Sequence, residues 1–181
     1  MTAFTVPGLS DTQGAEVAEL LQKALSRYND LHLTLKHVHW NVVGPNFIGV
    51  HEMIDPQVEL VRGYADEVAE RIAALGKSPL GTPGAIISDR TWDDYSVNRD
   101  TVQAHLAALD LVYTGVIEDT RKSIERLEEL DLVSQDMLIG HAGELEKFQW
   151  FVRAHLENSG GQLVNEGATS EKAAAKKAKE S

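Results

Sequence analysis

The sequence predicts an all-α fold, a four-helix bundle, from three observations. Apolar residues recur at intervals of three and four in four long stretches, which places them on one face of a helix each time. Glycine and proline clusters fall between those stretches. One connection, between the second and third stretches, is much longer than the others.

The first helix begins after Ser10 or Asp11, either of which can cap it. It carries Val17, Leu20, Leu21, Ala24, Leu25, Tyr28, Leu31, Leu35 and Val38 to about His39. Gly44-Pro45-Asn46 breaks it. The second runs from about Phe47 to Leu75 on Ile54, Val58, Val61, Ala65, Val68 and Ile72, and Gly76 ends it. Pro56 lies inside this pattern, so a kink or re-bonded turn is expected near residues 52–55. Residues 77–97 are the long connection, with room for one short helix. The third helix spans about Asn98 to Leu130, with Val102, Leu106, Leu109, Val112, Val116, Ile117, Ile124 and Leu127 facing inward. The fourth starts at Asp131 or Ser134 and carries Leu138, Leu145, Phe148, Phe151, Val152 and Leu156 to Gly160-Gly161. Four such helices with one long middle connection describe a ferritin-like bundle. Residues 1–9, with Pro7 and Gly8, read as an N-terminal arm, residues 10–160 as the bundle, and residues 161–181 as a flexible Lys-containing tail.

Composition narrows the function. The formal charge is −11 in 181 residues. From residue 167 onward four Lys outnumber two Glu, leaving −13 for the rest. An acidic body disfavours nucleic acid or membrane over its whole surface and suits cations. No cysteine is present, which excludes disulfides, zinc fingers and iron–sulfur clusters. No apolar run is long enough to cross a membrane, and no secretion signal is evident, so a cytoplasmic protein is expected.

His39 to Glu70 holds the metal-site composition. His51 and Asp55 are four apart, as are Asp66 and Glu70, so each pair shares a helical face. An intra-bundle di-iron site would need Glu three residues before a His, and no histidine here has one. The two pairs cannot share a metal within one helix: Asp55 and Asp66 stand roughly 16 Å apart and His51 and Glu70 roughly 28 Å at about 1.5 Å per residue. They are, however, symmetric about the Leu60–Val61 bond. An antiparallel copy across a two-fold would bring His51 and Asp55 to Glu70 and Asp66 of the other chain, with Glu59 facing Arg62. His39 can add a third ligand from the first helix. Carboxylate and imidazole without thiolate suit iron, manganese or zinc, and open positions suit redox iron. The competing reading of each pair is ordinary surface polarity.

His39-Trp40-Asn41-Val-Val-Gly44, His51-Glu-Met-Ile-Asp55, and Asp66-x-x-x-Glu70 followed by Arg71-Ile-x-x-Leu-Gly76 resemble the Dps family, the DNA-binding proteins from starved cells or miniferritins, in its mycobacterial type. The likeness covers about residues 10–160 and matches all five family ligand positions. It implies a short helix in the middle connection and a hollow dodecamer built from dimers. It implies ferroxidase sites shared between subunits, with His39, His51 and Asp55 from one and Asp66 and Glu70 from the other. Fe(II) would be oxidised by hydrogen peroxide in preference to oxygen and stored as ferric mineral. Trp40 would absorb stray oxidising equivalents, where core packing is its alternative. Asp131 and Asp136 match positions at a pore for iron entry, and as acids at a helix N-terminus they can complement its dipole at the same time. Lys172, Lys176, Lys177 and Lys179 become candidates for non-specific, salt-sensitive DNA contact and nucleoid association, against a merely solubilising tail. A second reading makes the protein chiefly a structural DNA-condensing protein. His32, His37, His105, His141 and His155 lack matching carboxylate spacing and read as core or surface residues. Met53 and Met137 read as packing, so no haem is expected.

Overall fold

The computed structural model describes residues 6–181; of the arm expected at residues 1–9, residues 1–5 lie outside the described part. Four long helices form the bundle: α1 (Asp11–Asn41), α2 (Phe47–Ala74), α4 (Val102–Leu127) and α5 (Leu132–Ala154). A short helix α3 (Pro83–Asp89) lies in the long connection, and a further helix α6 (Glu171–Lys179) follows the bundle. Two-residue strands β1 (Val42–Val43) and β2 (Asp100–Thr101) pair in parallel, Val42 with Asp100 and Val43 with Thr101. They pin the end of α1 to the start of α4.

Each boundary has a local cause. Ser10 accepts from the Gln13 N–H and the Gln13 side chain returns to the Ser10 N–H, a complete capping box that starts α1. Thr82 caps α3 with Pro83 at its first position. Thr101 caps α4. The first turns of α4 as expected, from Asn98, are therefore taken by β2 and the capping Thr101. Gly76, at φ 75°, closes α2 in a left-handed conformation that a side chain would strain. The helix runs from Phe47 to Ala74 through Pro56, which is solvent-exposed.

The apolar stripes meet in one core. Val17, Leu21, Tyr28, Leu31, Leu35 and Val38 of α1 pack with Ile54, Val58, Val61, Val68 and Ile72 of α2. Leu106, Leu109, Tyr113 and Ile117 of α4 and Leu138, Leu145, Phe148 and Val152 of α5 complete it. Fully burying each large aliphatic side chain contributes about 1.5–3 kcal/mol, so this interior and not local propensity holds the helices. Val112, Val116 and Ile124, expected inside, are only partly buried, because Leu109 and Tyr113 take the inner face of α4.

The end of the chain departs most from expectation. α5 stops at Ala154, before Gly160-Gly161, and Leu156 is buried beyond it. The stretch expected to be a flexible tail is folded back onto the bundle. Ser170 caps α6, whose Ala174, Ala175 and Ala178 are buried against α4 and its neighbours. The physical reason is small-on-small packing: Ala175 meets Val97, Ala104 and Ala108, so the two backbones can approach closely.

Candidate metal centre

The end of α1 and the first turns of α2 bring three of the five candidate ligands together. His39 and His51 stack with ring centroids 3.6 Å apart. The His39 Nδ1 lies 2.9 Å from the His51 carbonyl, and the His51 Nδ1 lies 2.9 Å from the His39 carbonyl. A carbonyl only accepts, so each ring donates from Nδ1, and Nε2 is the nitrogen left to face a metal. Those reciprocal hydrogen bonds fix both rings by Nδ1, the way a hydrogen bond to the far nitrogen orients an imidazole for metal binding. His39 Nδ1 is also 3.2 Å from Asp55 Oδ1, a weaker branch of the same donor.

Lys36 completes this half-site and was missed in the sequence. Its Nζ lies 2.6 Å from Asp55 Oδ1. The Lys36 hydrogen bond, with the nearby histidines, holds the Asp55 carboxyl below its ordinary range. The available signal was position: Lys36 lies one turn before His39 and so shares its helical face. Nothing in the sequence linked it to Asp55, nineteen residues away.

Asp66 and Glu70 lie further along α2, both exposed, and neither makes a hydrogen bond or ion pair within the described residues. Among the described residues no group of three or more His, Cys, Asp or Glu converges as a metal site in a single chain. The described residues thus carry an imidazole-rich cluster where α1 meets the first turns of α2 and a free carboxylate pair further along α2. Four large apolar side chains are exposed on the same two helices: Leu33 and Trp40 on α1, and Phe47, whose ring meets His51, and Ile48 on α2. Trp40 is 70% exposed, so core packing within the chain is not its role. Arg62 pairs with Glu59 of its own chain at 3.1 Å, a contact expected between copies.

The two expected pore acids behave differently. Asp136 is exposed on α5. Asp131 is buried and its carboxylate is spent: it accepts from the Val133 and Ser134 N–H groups, from Ser134 Oγ at 2.5 Å and from Arg71 at 2.6 Å. Burial alone would raise its pKa, but the Ser134 and Arg71 hydrogen bonds outweigh it and hold the acid low. Asp131 is therefore a helix cap locked to α2. The tail lysines also divide. Lys179 pairs with Asp100 at 2.8 Å and Lys177 donates to the Glu166 carbonyl, whereas Lys172 and Lys176 face solvent.

His141, read as an ordinary core or surface residue, is buried on α5 and its Nε2 lies 3.0 Å from Glu67 Oε2. It stacks on Tyr64. His105 is fully buried beside the Tyr95 hydroxyl.

The Ferritin-like domain family matches residues 18–159. The chain is 84% identical over 179 residues to the "DNA protection during starvation protein" of Mycolicibacterium smegmatis, covering 99% of this chain and 98% of that one. The chain belongs to the Dps family. Among solved structures, Mycobacterium smegmatis Dps is similar at 85% identity and a TM-score of 0.92, covering 93% of this chain and 97% of that chain. DpsA14 from Streptomyces coelicolor is similar at 58% identity and a TM-score of 0.87, covering 88% and 95%. No described helix is long and apolar enough to cross a membrane.

Proposed function

We propose that this Dps-family chain is a ferroxidase and iron store whose catalytic site forms only between two copies. His39, His51 and Asp55 of one chain and Asp66 and Glu70 of a second would bind Fe(II) as substrate at a two-iron site. Hydrogen peroxide accepts two electrons, one from each of two Fe(II), and with two protons gives two water molecules and two Fe(III). The ferric product then moves to the acidic interior of a hollow dodecamer and nucleates mineral. Oxygen serves as a poorer oxidant. The observation that carries this reading is the division of the candidate ligands: two histidines held by Nδ1 with Nε2 unengaged where α1 meets α2, and two carboxylates unpartnered among the described residues further along α2. Mixed imidazole and carboxylate ligation suits Fe(II). The exposed Leu33, Trp40, Phe47 and Ile48 supply the apolar area that a second copy would cover. Trp40, next to His39 in sequence and exposed, is suitably placed to be oxidised in place of more valuable targets. Asp131 and Asp136 would guide cations inward, with Asp131 also fixing the start of α5.

The test is Fe(II) oxidation by peroxide followed by absorbance. His51→Ala with Asp66→Ala should abolish the fast phase, and an undiminished fast phase would overturn the assignment.

A second activity has its own support. Consuming both Fe(II) and peroxide protects DNA from radical chemistry, and the tail lysines would add weak, non-specific phosphate contacts multiplied over the assembly and associate it with the nucleoid. The net charge of +2 from residue 167 onward favours this segment over the acidic body. Replacing Lys172, Lys176, Lys177 and Lys179 by Gln should remove gel retardation of a random duplex and leave iron oxidation unchanged.

A further inference from the structure

The tail does not leave the bundle as a free strand. Val164 donates its N–H to the Leu156 carbonyl at 3.0 Å, which folds residues 156–164 back. Asn165, only 3% exposed, donates to the Ala107 carbonyl at 3.3 Å and to Asp110 Oδ2 at 2.9 Å. Asp110 also accepts from Arg153 at 2.6 Å, so α4, α5 and the tail meet at one buried carboxylate. From this fixed point α6 lies along α4 on its three buried alanines. Polar contacts hold its two ends. Glu171 Oε2 accepts from the Ser96 N–H at 2.7 Å and the Ser96 hydroxyl at 3.0 Å. At the other end Lys179 bonds Asp100, and Lys177 bonds the Glu166 carbonyl.

Three physical facts make this docking a switchable state. A nine-residue helix is too short to persist alone in water, so undocking also unwinds it. The Lys179–Asp100 pair is partly exposed, so salt weakens it and phosphate can compete for the lysine. Docking also holds the lysines against a body of net −13, whose field repels a nucleic-acid backbone. Released from about residue 167, the last fifteen residues can extend roughly 50 Å from the surface.

We propose that α6 is a latch: docked on α4 it withholds Lys177 and Lys179 from DNA, and the tail engages the phosphate backbone in its released form. The proposal rests on the reading that the tail lysines make the DNA contact. In the docked state Lys172 is open to a phosphate and Lys176 only loosely approaches Glu180 at 3.8 Å; in the released state all four are available, at a distance from the acidic body.

The chain has no cysteine, so an engineered disulfide reports on one contact. Ala108→Cys with Ala175→Cys places thiols where those alanines pack. The oxidised assembly should bind a random-sequence duplex at least tenfold more weakly than the same protein after reduction. Ala175→Leu, which overfills the contact without changing charge, should bind several-fold more tightly than the parent. Hydrogen exchange on the unmodified full chain keeps the proposal testable if the bond fails to close: α6 amides should be protected alone and lose protection on adding duplex. Equal affinity of the oxidised and reduced proteins, or protection retained in the complex, overturns the latch and makes the docked Lys172–Lys176 face the contact. The full-length variant with all four lysines replaced by Gln separates the two levels. If it still binds DNA the tail reading itself falls, and the latch with it; if it does not, a failed lock counts against the latch alone.

Discussion

The proposed division of the site between copies predicts complementation between two inactive variants. Let one variant carry His51→Ala and Asp55→Ala, and another carry Asp66→Ala and Glu70→Ala. Each alone loses half of every site and should show no fast peroxide-driven Fe(II) oxidation. In a mixed dimer the arithmetic changes. One site pairs the intact histidine half of the second variant with the intact carboxylate half of the first. The other site combines the two damaged halves. Random pairing of equal amounts makes about half the dimers mixed, each with one working site of two, so about one quarter of parental activity should return. The magnitude depends on the separation along α2: His51 and Glu70 are nineteen residues apart on one helix, roughly 28 Å, so no rearrangement of a single chain substitutes for the exchange. The assay is the initial rate of iron oxidation after co-expression or joint reassembly, against the two variants assembled separately and then mixed. Recovery limited to the co-assembled sample carries the prediction. Activity near zero in that sample, with native mass confirming mixed assemblies, would refute the shared site.

Four other outcomes follow from named contacts. Lys36→Met removes the cation bound to Asp55 Oδ1; a redox-inert divalent cation such as Zn(II) should then bind the site several-fold more tightly by calorimetry, because the metal no longer competes with an ammonium group. Asp131→Ala removes both the α5 cap and the partner of the mostly buried Arg71, and should cost about 2–4 kcal/mol in denaturant unfolding of a matched assembly state. Because the folded state holds Asp131 below its ordinary pKa, its contribution is fully present above the unfolded value and is lost as pH falls through the depressed one; the gap between parent and variant should therefore shrink below about pH 4. Glu171 has the opposite sign: burial raises its pKa above 4.5, partly offset by the Ser96 hydrogen bonds and Arg90 and reinforced by Asp30. Docking of α6 is fully supported below the unfolded value and weakens as pH rises through the raised one, so α6 amides, corrected for intrinsic exchange, should be better protected at pH 5 than at pH 7.5.

The features legible in the sequence are those that depend on one segment's own periodicity. The long helices were readable because Val17 to Val38 or Ile54 to Ile72 must face a core whatever that core is made of. The half-site of His39, His51 and Asp55 was readable because two of its members share a helical turn and the third ends the preceding helix. What escaped were pairings decided by a distant partner. An acid at the start of α5 reads as a cap in sequence, but nothing there shows that Arg71, sixty residues earlier, shares the Asp131 carboxylate. Lys36 meets Asp55 only once α1 and α2 are packed. The last helix was hidden for a different reason. Its buried face is alanine, which carries little hydrophobic signal, and its exposed face is lysine, so composition reads as a solvated tail. What makes it dock is the shallowness of α4 at Ala104 and Ala108, a complementarity between two small-residue surfaces nearly seventy residues apart. Such a surface contributes little free energy per contact because alanine buries so little area. The property that conceals α6 in the sequence is thus the one that makes its docking cheap to undo, in contrast to the Leu- and Val-lined bundle beneath it.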